Sequence, residues 1–250
     1  PAKANSGHQG TAMALAPLAH VLYTRVMKYD ASAPDWFDRD RFVLSAGHAS
    51  ILQYSLLHLA GFGLTLDDIK AFRQWGSETP GHPESHTPGI EVTTGPLGQG
   101  FANGVGMAIA EANTRARLGA EASDHHTFVI AGDGCLSEGV SHEAASLAGH
   151  LGLGRLVVVY DDNHITIDGE TDLALSDDAP ARFRAYGWDV DEIGEVAEDL
   201  DALEAALNRA KTVADKPTLI VLRSHIGFPS PDHTDSHEAH GLAFGEADIT

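Results

Sequence analysis

One cysteine, few basic residues and no long apolar run bound what this chain of 250 residues can be. Cys135 stands alone, so no internal disulfide can form, and a reducing, cytoplasmic setting is the expectation. Lysine and arginine total 16 against 36 aspartates and glutamates, giving a formal charge of −20. Such a field repels phosphate backbones and anionic lipid, so neither nucleic acid nor a membrane is an expected partner. No stretch reaches the ~20 continuous apolar residues of a membrane helix, and nothing near Pro1 has the makeup of a signal peptide. The G-x-G-x-x-G fingerprint after a strand and the G-x-x-x-x-G-K-[ST] loop are both missing, which disfavours a nicotinamide cofactor and a P-loop nucleotide site. Any phosphate bound by so acidic a chain must be neutralised locally by a cation, histidines or backbone N–H groups.

What is present is a 43% hydrophobic composition, enough for one domain over residues 1–250 with a sizeable core. "GTAMALAPLAHVLYTRVM" reads as one long, mostly buried helix with Pro17 as an irregularity, and "HASILQYSLLHLAGF" as another that ends near Gly61. Thr65 is an N-cap candidate for "TLDDIKAFRQW". The Gly- and Pro-dense "GSETPGHPESHTPGIEVTTGPLGQG" is the longest stretch without periodicity, as functional loops often are. A helix from Leu97 onward carries small residues suited to close packing against another helix or subunit. "RFVLS", "HTFVIAG", "RLVVVYDDN", "WDVDEI" and "PTLIVLRSHI" read as strands, several separated by helical segments. The continuous branched run in "RLVVVYDDN" argues burial on both faces. The fold class expected is α/β, a mainly parallel sheet flanked by helices. The polar start at Pro1 and the stop in "FGEADIT", where a further helix is expected to begin, read as a piece of something longer.

If "HTFVIAG" and "RLVVVYDDN" are successive parallel strands, their carboxyl ends share one edge of the sheet, where open α/β sheets bind ligands. Asp133 then faces the same crevice as Asn163, while Gly132 and Gly134 let the backbone turn tightly. A carboxylate from Asp133, the amide oxygen of Asn163 and a backbone carbonyl at Ile165 leave room for two phosphate oxygens and a water. That makes roughly six hard oxygen ligands, which suits Mg²⁺ better than Zn²⁺, with Ca²⁺ the alternative. The same fragments also fit an ordinary surface turn and loop start. His8 and His82 sit beside glycine in irregular sequence, where a packing role is less natural than in a helix. His20, His58 and His150 lie in helical apolar patterns and are expected to be structural or partly buried. "SPDHTDSHEAHG" lacks zinc-motif spacing despite its histidines and acids.

The segments "SGHQG", "DRDRFVLSAGHAS", "TPGHPE", "TTGPLGQG", "GDG…N", "YDDNHITIDG" and "IGFPSP" occur in the order used by the transketolase family, and the chain resembles that family's thiamine-diphosphate-binding domain over nearly all its length. The resemblance implies a thiamine-diphosphate-binding fold in which Asp133, Asn163 and Ile165 hold the metal. It assigns His48 and the run Gly95, Pro96, Leu97 to the cofactor, and Gly134 to its diphosphate. It sets His8 and His82 where the sugar reacts, with His237 near both the diphosphate and the substrate. Glu138 matches an acidic residue that communicates across the dimer.

The activity so implied is transfer of a two-carbon ketol unit between ketose and aldose phosphates, in the pentose phosphate pathway, by a homodimer. The glutamate that activates the cofactor's aminopyrimidine comes, in the family, from a pyrimidine-binding domain of the partner chain, which this sequence does not include. The arginines and serine that bind substrate phosphate in the family also lie beyond Thr250. This chain alone is therefore expected to be inactive, whether an excised domain or a natural small subunit. Another thiamine-diphosphate transferase or synthase, or a non-catalytic assembly subunit, is the alternative.

Overall fold

The computed structural model describes residues 1–245 and 248. In chain order the helices are α1 (Gln9–Ala14), α2 (Ala16–Val21), α3 (Ser50–Ala60), α4 (Leu66–Lys70), α5 (Gln99–Leu118), α6 (Asp133–Ser137), α7 (Gly139–Leu151), α8 (Ala179–Ala185), α9 (Leu200–Lys211) and α10 (Glu238–Gly241). The strands are β1 (Arg41–Leu44), β2 (Thr127–Gly132), β3 (Leu156–Asp162), β4 (Asp189–Gly194) and β5 (Thr218–Arg223). They form one five-stranded sheet in the order β1-β2-β3-β5-β4, every neighbouring pair parallel.

Side-chain alternation along the strands divides the core in two. Phe42, Phe128, Ile130, Val157, Val159, Ile220 and Leu222 face α1, α2, α3 and α9. Val43, Val129, Ala131, Val158, Tyr160, Leu219 and Val221 face α5, α7 and α8. Both faces are covered, which is why β3 reads as an unbroken apolar run. The small residues of α5 serve chiefly to bring it onto the sheet. A Cβ on Gly100 would lie 2.7 Å from Ser45 Cα, and one on Gly104 would lie 2.5 Å from Val129 Cγ2.

Three local expectations change. The first long helix is broken at Leu15 into α1 and α2 and finishes in a π-turn over Leu22–Val26. Pro17 has no N–H to donate and sits in the first turn of α2, so the chain restarts a helix there instead of continuing one. Thr65 does cap α4 in a reciprocal capping box with Asp68, but the helix ends at Lys70. Of the helical histidines, His20 and His150 are exposed, being on the solvent side of their helices, whereas His58 Nδ1 meets the Leu64 carbonyl at 2.7 Å. The further helix expected in "FGEADIT" falls largely outside the described residues.

Candidate functional site

The carboxyl ends of β1, β2, β3 and β5 converge on one rim of the sheet. Ala46 and His48 follow β1, Asp133 and Gly134 follow β2, Asp161 and Asp162 end β3 with Asn163 and Ile165 beyond them, and Ser224 follows β5. Together with the start of α1, the Gly- and Pro-rich loop and α10, the ends of β1, β2 and β3 enclose a cavity of about 400 Å³, with Ser224 behind Asp161. His8, His48, His82, Gly95, Leu97, Asp133, Gly134, Asn163 and Ile165 all line it. The β2–β3 register pairs Gly132 with Asp161, so Asp133 and Asn163 emerge side by side.

Asp133 is 7% exposed and opens α6 directly after an extended Gly132. Burial pushes its pKa up to about 6, opposed by a hydrogen bond from the Tyr160 hydroxyl to Oδ1 and reinforced by Asp161 and Asp162. With Oδ1 held by Tyr160, Oδ2 is the oxygen left to meet a cation. Asn163 is fixed at both ends: Nδ2 donates to Asp161 Oδ2 at 2.8 Å, and Oδ1 accepts from Ile165 N at 2.9 Å. That Asx-type turn runs through His164, whose φ is +64°. Asp161 is buried, its pKa likewise pushed up to about 6 by burial against hydrogen bonds from Ser224 and Asn163. Its carboxylate can only accept from the amide NH₂, so it dictates which end of Asn163 is oxygen.

The donors present fit a hard divalent cation clamping a diphosphate. Ile165 pairs with Glu170 in an isolated antiparallel bridge whose hydrogen bonds belong to its neighbours, His164 to Thr171 at 2.9 Å and Thr166 to Gly169 at 2.7 Å. The N–H and carbonyl of Ile165 therefore point away from Glu170, and the N–H meets Asn163 Oδ1. One carboxylate, one amide oxygen and one backbone carbonyl is an oxygen set suited to Mg²⁺ or Ca²⁺ and poor for Zn²⁺. Among the described residues no group of three or more His, Cys, Asp or Glu side chains is arranged to hold a metal by itself. Next to this set the wall is bare backbone: a Cβ on Gly134 would lie 2.8 Å from Leu97 Cδ1, and Gly132 has open space in front of it.

Opposite the oxygens stands a cluster of imidazoles. The rings of His48 and His240 stack with centroids 4.9 Å apart, and His8 meets them edge-on at 5.2 and 5.6 Å. His82 packs over Gly95, where a Cβ would come within 3.5 Å of its ring. Burial is the first cause lowering the pKa of each, to about 4 for His8 and about 3 for His48, and mutual repulsion and Arg73 add to it at His8 and His48. At neutral pH the cluster is therefore uncharged, offering hydrogen bonds to hydroxyl and phosphate oxygens without a fixed positive charge.

Three expected site residues lie outside the cavity. Pro96 is exposed on the turn before α5, and Glu138 is exposed as the N-cap of α7, its Cβ close against Gly98. His237 is exposed at the N-terminus of α10; it is His240, one helical turn on, that enters the cavity. Sequence reasoning also missed Tyr160 and, beside it, Asp161. Its signal was available, since residues two apart on a strand share a face and Asp161 stands two before Asn163.

Residues 2–250 match the family model described as the thiamine diphosphate binding domain of transketolase. The chain is 54% identical to the chloroplastic transketolase of Solanum tuberosum over 99% of its own length and 34% of that protein. It is 55% identical to a Nostoc sp. transketolase, again over 99% of its length and 38% of the relative. The transketolase structure from Leishmania mexicana superposes with a TM-score of 0.96 at 52% identity, covering 99% of this chain and 37% of that one. A Pichia stipitis transketolase solved in complex with sedoheptulose-7-phosphate gives 0.96 at 50% identity with the same coverage. The chain thus spans a little over a third of the length of these relatives. With the family model matching residues 2–250 and relatives of about half-identical sequence sharing the fold, the chain belongs to the transketolase family, over that family's thiamine-diphosphate-binding domain.

Proposed function

We propose that this chain is the diphosphate- and metal-binding domain of a longer, homodimeric transketolase that moves a two-carbon ketol unit between sugar phosphates of the pentose phosphate pathway. The observation that carries the reading is the shared cavity of Asp133, Asn163 and Ile165 at the sheet rim, faced by neutral histidines. Asp133 Oδ2, Asn163 Oδ1 and the Ile165 carbonyl hold Mg²⁺, or Ca²⁺ in its place, and through it the diphosphate of thiamine diphosphate. Gly134 lets the diphosphate lie against the backbone, while His48 and the Gly95, Pro96, Leu97 turn border the cofactor. The bound cofactor supplies the electron sink for breaking the carbon–carbon bond. This chain's own part is to orient, exclude water and place hydrogen-bonding imidazoles.

His8 and His82 face the sugar, and His240 takes the place between cofactor and substrate expected of His237. A sugar phosphate is the substrate class, as the sedoheptulose-7-phosphate bound by the Pichia stipitis relative suggests. Glu138, outside the cavity on an exposed helix start, is placed for contact with a partner subunit. The pyrimidine-binding domain of that partner completes the pocket, so the chain alone is inactive. A cytoplasmic location belongs to the same reading, in keeping with a lone, buried thiol at Cys135; no described helix is long and apolar enough to cross a membrane.

The test mixes the chain with a partner bearing the pyrimidine-binding domain, thiamine diphosphate and Mg²⁺, and assays two-carbon transfer from a ketose phosphate. Turnover that disappears with Asp133→Ala supports the proposal. No turnover where an intact relative works overturns it.

A further inference from the structure

Arg73 lies outside the cavity lining and touches it through one residue. Its Nη1 donates to Ser6 Oγ at 2.7 Å and its Nη2 meets His8 Nδ1 at 3.0 Å, so one planar guanidinium grips the chain on both sides of Gly7. The grip is built in. Arg73 holds a left-handed backbone, φ +59°, closed by a hydrogen bond from its N–H to the Thr79 carbonyl at 2.9 Å. The guanidinium packs on the bare backbone of Gly81, where a Cβ would lie 3.1 Å from Nε and 3.4 Å from Cζ. Its Nε–H is buried without a partner, and among the described residues no carboxylate pairs with it. A half-buried cation kept in so constrained a place, with its fork turned to a histidine, is arranged for that histidine.

Arginine can only donate, so the ring nitrogen facing it must accept. We infer that Arg73 is a positioning residue for His8, fixing the neutral imidazole with its proton on Nε2 so that the ring presents a hydrogen-bond donor to an oxygen in the cavity. This deepens the reading of the cavity as a sugar-phosphate site and rests on it for the identity of that oxygen. The ring's other orientation would set a C–H against the guanidinium and strand a buried donor. The charged and titratable groups facing His8 are Arg73, His240, His82 and His48, all basic, so its neutral form is favoured on every side. With Nδ1 occupied, a proton delivered or taken by this ring has to pass through Nε2.

The experiment records two-bond ¹H–¹⁵N correlations of the ¹⁵N-histidine-labelled chain at neutral pH, with His8 assigned by loss of its signal in His8→Gln. The wild type should show the pattern of a single Nε2–H tautomer. Arg73→Lys, which keeps a donor, should preserve that pattern, and Arg73→Met should give a mixture with the Nδ1–H form and a higher apparent pKa. A wild-type ring protonated on Nδ1, or an Arg73→Met chain with an unchanged tautomer and pKa, overturns the inference. Should Arg73→Met not fold, the wild-type and Arg73→Lys spectra still decide it. Calorimetric titration of the same samples with thiamine diphosphate and Mg²⁺ keeps the two readings apart. Absence of metal-dependent binding by the wild type speaks against the proposed function and leaves the tautomer result standing.

Discussion

The hydroxyl of Tyr160, on β3, donates to Oδ1 of Asp133 at the end of β2, so a residue from one strand decides which carboxylate oxygen of its neighbour is free. Groups that orient a metal ligand are commonly worth about 10–100-fold in metal affinity. Tyr160→Phe should therefore weaken Mg²⁺-dependent binding of thiamine diphosphate about 10-fold, while Asp133→Ala removes the metal dependence altogether. His20→Ala, on an exposed helix face, should leave it unchanged. Isothermal titration with and without Mg²⁺ reads all three, and equal binding by Asp133→Ala and wild type would contradict the metal assignment.

The position of α10 separates two histidines that the sequence places three apart. His240 stacks on His48 and His237 is exposed. In an enzyme completed by its pyrimidine-binding partner, His240→Gln should lower kcat/KM for a ketose phosphate about 100-fold, the lower range of what a positioned proton-transfer group contributes. His237→Gln should stay within about 3-fold of wild type, and a deeper loss there than at His240 would reverse the assignment.

At the other end of the sheet His126, 5% exposed, has its pKa pushed down to about 3, first by burial and then by Arg155 and Lys211. A depressed pKa means that the unfolded chain binds the proton more readily than the folded one between about pH 3 and 6.5. The contribution of His126 to stability is complete above about pH 6.5 and is lost as the pH falls toward 3, with a slope of at most ~1.4 kcal/mol per unit. Asp133 and Asp161, pushed up to about 6, have the opposite sign between their unfolded values and pH 6. Subtracting urea-denaturation curves of His126→Gln from wild type isolates the histidine part. A difference that does not change between pH 7 and 5 would show that His126 is not held neutral.

Glycine to alanine in a helix usually stabilises by about 0.5–1 kcal/mol. On α7, Gly149→Ala should do the reverse and cost about 2 kcal/mol or more, since its Cβ would lie 1.8 Å from the Tyr186 carbonyl oxygen. Gly106→Ala on α5 meets open space and should follow the usual rule. Thermal melts of the two variants should move in opposite directions.

Much of this was legible in the sequence because parallel sheets write themselves plainly. The apolar runs of β2 and β3 and the helix between them suffice to put Asp133 and Asn163 on one rim. The edge strand β4, half exposed and charged, was still readable as the first member of a strand, helix, strand order with α9 and β5. What escaped notice had weaker periodicity. Helix α8 buries only Phe183, so it shows no apolar stripe, although Asp178 and Pro180 mark its start. The four residues of α10 turn His240 inward and His237 outward, and a stretch so dense in histidine and acid gives no phase from which to tell them apart. The role of Tyr160 was hidden for another reason. Its partner, Asp133, follows a different strand, and only the assembled sheet brings the two side chains together.

Because all five strands run the same way, the molecule has a working end and an idle end. The exposed turn at Gly119 and Glu121 precedes β2 at the idle end. The strand's six residues, at ~3.3 Å each, put about 20 Å between that turn and Asp133. A dye, an affinity handle or a surface tether installed at Glu121 would thus report on or immobilise the domain while staying remote from the cavity at the opposite rim.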